Sequence, residues 1–362
     1  MQYIIKQHSS KNDTTLENSR ITWIDIAKGY GILCVIIAHL GASYLGTIIY
    51  TFHMPLFFFL SGCVFSVSKY NFRKFLKRKI ETIIIPYLAL GIPMIMFTFL
   101  EMYLVSNRNI KDYIQIVERF IIQRRMWTLW FIACLFCLNI LFYIIVKIFN
   151  NNMKKIGLIT IILAIMGLIY YRIGGKPLPW NADVCLTAIP FFYVGYLFKN
   201  TQNFQDFVFK KHKVIYFILL LFVNFICGVA SRKISGTGLE MFYGSYGFAP
   251  LTYLSAFAGI FCVIIISDSF DINILKYIGK NSLVYFAWHQ TIMIPIINDL
   301  YKYMNIFQST SLSFPTKVLR LGTSLILICI VLSVLDYIIR NTKLRFMVGL
   351  KQPVILTKSP IL

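Results

Sequence analysis

Residues 23–62 contain the side chains best placed to do chemistry, because ionisable residues stand there within apolar sequence. A charged group inside a bilayer is costly, so such a residue usually has a function. Lys28 and His39 are eleven residues apart, which in an α-helix means three turns, about 16 Å of rise and about 20° of rotation. Asp25 precedes Lys28 by one turn, within about 40° of the same face. This stripe would connect an acid and a base near one membrane surface to an imidazole near mid-bilayer.

Each residue of the stripe also has a structural explanation. Lys28 can extend its ammonium group to the lipid headgroups with Asp25 as its partner. His39 can be a buried histidine that bonds a carbonyl of a neighbouring span. His53, in the next apolar run, is a candidate base, acceptor contact or oxyanion donor, or else a structural histidine. The stripe taken together favours a functional site.

The composition is that of an all-α, polytopic integral membrane protein. The 362 residues are 58% hydrophobic and 14% charged, with a mean hydropathy of +0.70, and soluble domains differ from this on each count. The net charge of +22 comes from Lys and Arg between apolar runs, which suits contact with membrane lipids and not with nucleic acid. The eight cysteines all fall in apolar runs, so we expect neither a disulfide framework nor a metal site.

The apolar runs predict about ten transmembrane helices within residues 21–340, between a tail at 1–20 and a basic tail at 341–362. Eight of the predicted spans lie at about 23–43, 47–67, 127–146, 156–172, 214–230, 249–267, 277–297 and 316–339; the third lies between the basic stretch and residue 106, and the sixth runs to about residue 198. With the N-terminus inside, the inner segments hold twice as many Lys and Arg residues as the outer ones. This bias predicts that both termini are cytoplasmic.

Three segments between the spans have a distinct composition. Residues 68–81 are rich in Lys and Arg and predict an amphipathic helix on the membrane surface. Residues 106–126 are predicted to be a polar loop, and the Gly-rich stretch 235–247 another. His8 and His212 fall in polar segments, where we expect them to be solvated.

Several short motifs follow one another in order along the chain. They are WIDIAKGYGILCVIIAHL (23–40), FHMPLFFFLSG (52–62), IIIPY (83–87), LWF (129–131), LPWN (178–181), FFYVGYLF (191–198) and YFAWHQ (285–290). The ordered set resembles the membrane-bound acyltransferase-3 family, particularly its branch of fucose 4-O-acetylase-like O-acetyltransferases. Lys28-x10-His39 fits that family's Arg/Lys-x10-His motif, and the resemblance covers essentially the whole chain.

The resemblance implies a bacterial inner-membrane acyltransferase. Such an enzyme takes an acyl group, usually from cytoplasmic acetyl-CoA, and transfers it to a hydroxyl of a cell-envelope or exported polysaccharide or of a lipid-linked sugar. It implies that His39 is the essential catalytic histidine and that Lys28 is its motif partner. The basic loop departs from the family's RR-x-x-R pattern, since residues 77–82 read KRKIET, although the charge is retained.

Acyl transfer to a hydroxyl needs a positioned base, because sugar hydroxyls are poor nucleophiles. An imidazole can take the hydroxyl proton and return a proton to the leaving thiolate. The predicted catalytic residues are His39, Lys28, His53 and Asp25. The predicted contacts for the CoA phosphates are Lys28, Arg73, Lys77, Arg78 and Lys79.

Trp130, Trp180 and His289 are predicted to bind the acceptor. The two tryptophans suit stacking on a sugar ring, but they suit anchoring at the membrane interface better, and His289 also has a structural explanation. A transporter or flippase of a lipid-linked sugar is the alternative function, because intramembrane charge and broken helices occur there too. A non-catalytic assembly factor would explain the hydrophobicity but not the Lys28–His39 stripe.

Overall fold

The computed structural model describes residues 22–41, 43–67, 71–105, 109–209, 213–307 and 312–351. The predicted tail at 1–20, the end of the predicted tail at 341–362, and His8 and His212 lie outside these residues. The α-helices are α1 (Thr22–His39), α2 (Ser43–Cys63), α3 (Phe72–Lys79), α4 (Ile85–Val105), α5 (Ile110–Ile122), α6 (Trp130–Ile148), α7 (Met153–Arg172), α8 (Ala182–Asn200), α9 (Gln202–Phe209), α10 (Lys213–Ser235), α11 (Ala249–Ser269), α12 (Asn273–Lys280), α13 (Ser282–Trp288), α14 (Ile294–Tyr303) and α15 (Phe314–Asn341).

Shorter elements join some of these helices. Two π-helical segments, Ile80–Ile84 and His289–Met293, link α3 to α4 and α13 to α14. The 3₁₀ segments are Pro179–Asn181, Met241–Tyr243 and Lys343–Val348. Strands β1 (Leu239–Glu240) and β2 (Ser245–Tyr246) pair antiparallel, with Leu239 opposite Tyr246 and Glu240 opposite Ser245.

The predicted fold class is confirmed: the chain is an all-α polytopic membrane protein. Nine helical segments in the described part of the chain are long and apolar enough to cross a bilayer. The predicted span at about 277–297 is not among them, and the chain there forms α12, α13, a π segment and α14. Apolar side chains on the outer face of the long helices are exposed, as lipid-facing positions require: Ile218, Phe222, Ile226, Ile326 and Ile330 are examples.

The first helix ends earlier than its apolar run suggests. The sequence predicts a span to residue 43, with His39 near mid-bilayer, but α1 ends at His39 itself. Gly41 follows with a φ of 83°, a left-handed conformation that favours glycine and commonly terminates helices. His39 therefore lies at the end of α1, next to the turn into α2.

Two predicted loops contain regular structure. Residues 106–126 include α5, which begins with a capping box formed by Asn109 and Asp112. The helix packs through Phe120, whose ring stacks on Tyr87 with centroids 4.9 Å apart. The stretch 235–247 forms the β1–β2 hairpin. In both places local hydrogen bonds organise a sequence whose composition alone indicates a loop.

Glycines set the closest helix contacts around α1 and α2. A Cβ at Gly29 would collide with the backbone of Leu275 on α12, and one at Gly279 with the backbone of Asp25. Gly62 meets α8 in the same way. Small residues at membrane helix crossings allow backbones to approach closely. These crossings fix α1 against α12 and α2 against α8, and so fix the positions of the side chains that α1 and α2 carry.

Candidate active site

His39 lines a cavity of about 190 Å³ that we name the histidine cavity. His53 and Met54 of α2 lie in its wall, and Gln290 and Phe286 come from the segment that carries His289. The aromatic residues Trp127, Trp130, Phe242 and Tyr243 complete much of the lining. The cavity lies where α1 ends and α6 begins, beside the β1–β2 hairpin, and we call this side of the bundle the hairpin end.

His39 and His289 form a hydrogen-bonded pair. His289 Nε2 lies 3.1 Å from His39 Nδ1, and the ring centroids are 5.0 Å apart. The two residues are 250 positions apart in the chain. His289 is fully buried, whereas His39 is partly accessible from the histidine cavity. The pair therefore joins α1 to the π segment at His289–Met293.

Backbone carbonyls determine which ring nitrogens of this pair carry protons. His289 Nδ1 lies 2.9 Å from Tyr285 O and 3.0 Å from Phe286 O. Because a carbonyl only accepts hydrogen bonds, Nδ1 must donate, and Nε2 of neutral His289 is then an acceptor. His39 Nδ1 lies between two acceptors, His289 Nε2 and Val35 O at 2.9 Å, so it must also donate. This leaves Nε2 of His39 with its lone pair free to act as a base.

The π segment brings His289 to this position. It begins at His289 and interrupts the α-helical hydrogen bonding between α13 and α14, and such single π turns often occur at functional sites. Two contacts hold the preceding turn in place: Trp288 Nε1 donates to Leu90 O at 3.0 Å, and Thr128 Oγ1 donates to Ala287 O at 2.9 Å. The same Thr128 lines the histidine cavity.

A buried ionic cluster holds the segment that carries Trp127 and Thr128. The Arg125 guanidinium pairs with Asp183 and donates to Tyr171 Oη at 2.7 Å and to Asn181 Oδ1 at 2.9 Å. Burial alone would lower the pKa of Arg125, but the neighbouring Tyr171 and Asp183 raise it above its ordinary value. The cation is therefore permanent, and it ties the start of α6 to α7 and α8.

A second cavity, of about 940 Å³, lies at the opposite end of the bundle, where α1 begins. We name it the basic cavity and this side the basic end. Four cations line it: Arg78, Lys79, Lys147 and Lys199. Lys79 Nζ lies 5.4 Å from the Phe75 ring centroid, and Lys199 Nζ donates to Phe65 O at 2.8 Å. No Asp or Glu is among its lining residues in the described part of the chain, so the cavity suits a polyanionic ligand.

A small apolar cavity of about 110 Å³ lies between these two. It shares Thr82 with the basic cavity and Phe286 with the histidine cavity. Thr82 and Ile83 belong to the other π segment, Ile80–Ile84. The three cavities thus lie next to one another between the basic end and His39, and both π segments contribute residues to their walls.

A larger cavity of about 600 Å³ adjoins the histidine cavity at the hairpin end. This hairpin cavity shares four residues with the histidine cavity: Tyr50, Leu239, Glu240 and Tyr243. Its remaining wall is rich in hydroxyl groups, from Thr47, Thr51, Ser231, Thr237, Ser245 and Thr252, and it includes Arg232.

The structure brings some of the predicted catalytic and acceptor residues together. His39, His53 and Trp130 line one cavity, and His289 contacts His39. The His53 ring lies 5.1 Å from that of Tyr50, and its Nδ1 lies 2.9 Å from Ile49 O, so His53 too has Nε2 as its acceptor atom.

Other predicted residues lie elsewhere. Asp25 is buried in the first turn of α1, and Lys28 lies one turn further on and interacts electrostatically with Cys63 at the basic end of α2. Trp180 packs against Tyr87 and Phe136. Neither the Asp25–Lys28 turn nor Trp180 lines any of the four cavities described above.

The predicted basic loop divides into two pairs. Arg78 and Lys79 line the basic cavity, whereas Arg73 and Lys77 are exposed and do not line it. Sequence reasoning did not include Lys147 and Lys199, which stand at the ends of α6 and α8. It also did not include Glu240, the only carboxylate among the described residues that line the two cavities of the hairpin end.

The site is thus a histidine pair in a helical membrane bundle, between a cavity lined by cations and one lined by hydroxyl groups. A family model described as acyltransferase domain matches residues 21–335. The chain therefore belongs to the acyltransferase-3 family and is a membrane acyltransferase. No curated protein and no solved structure matches the chain.

Proposed function

We propose that this acyltransferase moves an acetyl group from cytoplasmic acetyl-CoA to a hydroxyl of a cell-envelope or exported polysaccharide, as in the fucose 4-O-acetylase-like branch. The observation that carries the proposal is the series of cavities that leads from four cations at one end of the bundle to the His39–His289 pair near the other. A donor and an acceptor can meet at such a pair from opposite sides of the membrane.

The donor suits the basic cavity. CoA carries several phosphate charges at one end and a slim pantetheine arm at the other. Arg78, Lys147 and their neighbours supply cations for the phosphates, and the apolar cavity beside Thr82 suits the uncharged arm. Lys28, near the basic end of α2, adds positive charge on the same side, and Asp25 is proposed to orient it.

The chemistry requires one base. Nε2 of His39 takes the proton of the acceptor hydroxyl as the hydroxyl oxygen attacks the thioester carbonyl. The new C–O bond forms, the C–S bond breaks, and the proton passes from His39 to the leaving sulfur. Positive charge forms transiently on His39, and His289 Nε2 accepts its Nδ1–H. His53 lies in the same cavity as a candidate contact for the acceptor or for the oxyanion.

This assignment fixes the orientation in a bacterial plasma membrane. CoA is cytoplasmic, so the basic end is proposed to face the cytoplasm, in agreement with the Lys and Arg bias that predicts both termini there. The hairpin end then faces the exported glycan. Trp130, in the wall of the histidine cavity, is proposed to contact the sugar.

The test is acyl transfer in membranes that contain or lack this protein, with labelled acetyl-CoA and envelope glycans analysed by mass spectrometry. We expect an acetyl mass on the glycan that requires both the protein and the donor. Unchanged acylation, together with the loss of a lipid-linked sugar from the outer leaflet when the protein is absent, would replace this proposal by the transporter alternative.

A further inference from the structure

Glu240 stands at the neck between the histidine cavity and the hairpin cavity. It lines both of them, from strand β1. Its position is set by the β1–β2 pair, in which Glu240 lies opposite Ser245, and by the Ser245 hydroxyl, which donates to Gly238 O at 2.8 Å. Glu240 is thus one of the residues that lie between a ligand in the hairpin cavity and His39.

The carboxylate of Glu240 is partly buried without a compensating protein charge. None of the ion pairs found in the described part of the chain includes it. Loss of solvent raises the pKa of Glu240, and among the residues that the structure describes no donor or cation counters that effect. A partly buried carboxylate that lacks a protein donor is suited to hydrogen-bond donors from a ligand.

The surroundings of Glu240 indicate what kind of ligand this is. Tyr50 and Tyr243 flank the neck, and aromatic rings suit the apolar faces of sugar rings. The hairpin cavity offers one guanidinium, from Arg232, one carboxylate, and many hydroxyls. These opposite charges balance, which favours an uncharged, many-hydroxyl ligand over a strongly anionic or cationic one.

We propose that Glu240 binds the acceptor by accepting hydrogen bonds from the ring hydroxyls that neighbour the acylated one, with the rest of an uncharged saccharide in the hairpin cavity. This inference rests on the proposed function and adds the acceptor class and a residue that determines which hydroxyl reacts. A carboxylate can accept from two adjacent hydroxyls at once. Such a contact orients the third hydroxyl toward His39.

The test compares Glu240→Gln with wild type in membranes that hold equal amounts of each protein, using labelled acetyl-CoA and a methyl hexopyranoside as the acceptor. Glutamine keeps the size but loses the charge and one acceptor oxygen. We expect the KM for the glycoside to rise about 10- to 100-fold, as for a lost charge-assisted hydrogen bond. The kcat, the KM for acetyl-CoA and the acceptor-independent hydrolysis of acetyl-CoA should stay within about twofold of wild type.

A control variant and a second probe make the result specific. Glu118→Gln changes an exposed glutamate on α5 that lines none of these cavities, and it should leave all four quantities unchanged. For a monodeoxy glycoside that lacks the neighbouring hydroxyl, the KM of wild type should rise by the same factor as in Glu240→Gln. The KM of Glu240→Gln itself should rise little further when that hydroxyl is absent. If Glu240→Gln fails to fold, the same deoxy series on Glu240→Asp, which keeps the charge on a shorter side chain, supplies the comparison with wild type.

Two results would overturn the inference. An unchanged glycoside KM in Glu240→Gln, with equal loss on the deoxy analogues in both proteins, would remove Glu240 from the acceptor site while leaving the proposed function intact. Absence of acyl transfer and of acetyl-CoA hydrolysis in wild type would instead overturn the proposed function, and this inference with it.

Discussion

The basic cavity and the hairpin cavity are both large, but they differ in charge. Four cations and no carboxylate line the first, in the residues that the structure describes, whereas a single Arg and a single Glu stand among hydroxyls and tyrosines in the second. The His39–His289 pair lies between them. Under the proposed function, the two ends select their ligands by charge, and the chemistry between them depends on proton transfer at His39.

The largest expected effect concerns the point where the two ends meet. His39→Gln should lower the rate of acyl transfer about 10²- to 10⁴-fold, because glutamine cannot act as a base near neutral pH. His39→Ala should behave in the same way. The measurement is the initial rate of glycan labelling at equal protein amounts in the membrane. Near-normal transfer by the Gln variant would return His39 to a structural role.

The next effect separates the cations that line the basic cavity from those that do not, and it belongs to the basic end alone. Replacing Arg78 and Lys147 together with Gln should raise the KM for acetyl-CoA about 30- to 160-fold, at about 1 to 1.5 kcal/mol for each lost phosphate contact. The saturated rate should change little. The matched control replaces Arg73 and Lys77, two exposed cations that lie outside the cavity, and it should stay within about twofold of wild type. Equal effects of both double variants would contradict a donor site in this cavity.

A smaller effect is expected at His289, which lines neither the basic cavity nor the hairpin cavity. His289→Phe keeps the volume but removes the acceptor for His39 Nδ1–H, so kcat should fall about 10- to 100-fold while both KM values stay near wild type. His289→Gln places an amide oxygen where it can accept and should retain more activity than Phe. A KM effect on the glycoside, without a kcat effect, would show that His289 contacts the acceptor.

Local sequence was sufficient for the features that one helix or one apolar run determines. The all-α membrane fold follows from the length and spacing of the apolar runs. Lys28 and His39 were recognisable because α1 contains both and the helical period relates them. The end of α1 was predicted four residues too late, because the hydrophobic pattern continues past His39 and only Gly41 marks the stop.

Features that depend on distant parts of the chain were not accessible in this way. The contact between His39 and His289 spans 250 positions, and no periodicity reports it. Lys147 and Lys199 each follow an apolar run, where a lysine that only sets topology would also stand. Glu240 is one acid in a Gly-rich stretch, and its importance arises only when the hairpin places it between two cavities. Three-dimensional packing, not local pattern, creates this part of the site.

The smallest expected effect is a pH dependence confined to the hairpin end. Burial raises the pKa of Glu240, so this side chain takes up its proton at a higher pH than an ordinary glutamate. Only the ionised form offers two acceptor oxygens, so binding of the glycoside should weaken as the pH falls through that raised pKa and should be constant above it. We expect the KM for the glycoside to rise several-fold on the acid side in wild type and in Glu118→Gln, and to stay flat in Glu240→Gln. Protonation of the base His39 lowers kcat instead, so the two titrations separate when kcat and KM are measured across the pH range. If the glycoside KM rises equally at low pH in Glu240→Gln, the titrating group is not Glu240. The difference in charge between the two cavities would then have no role in selecting the acceptor.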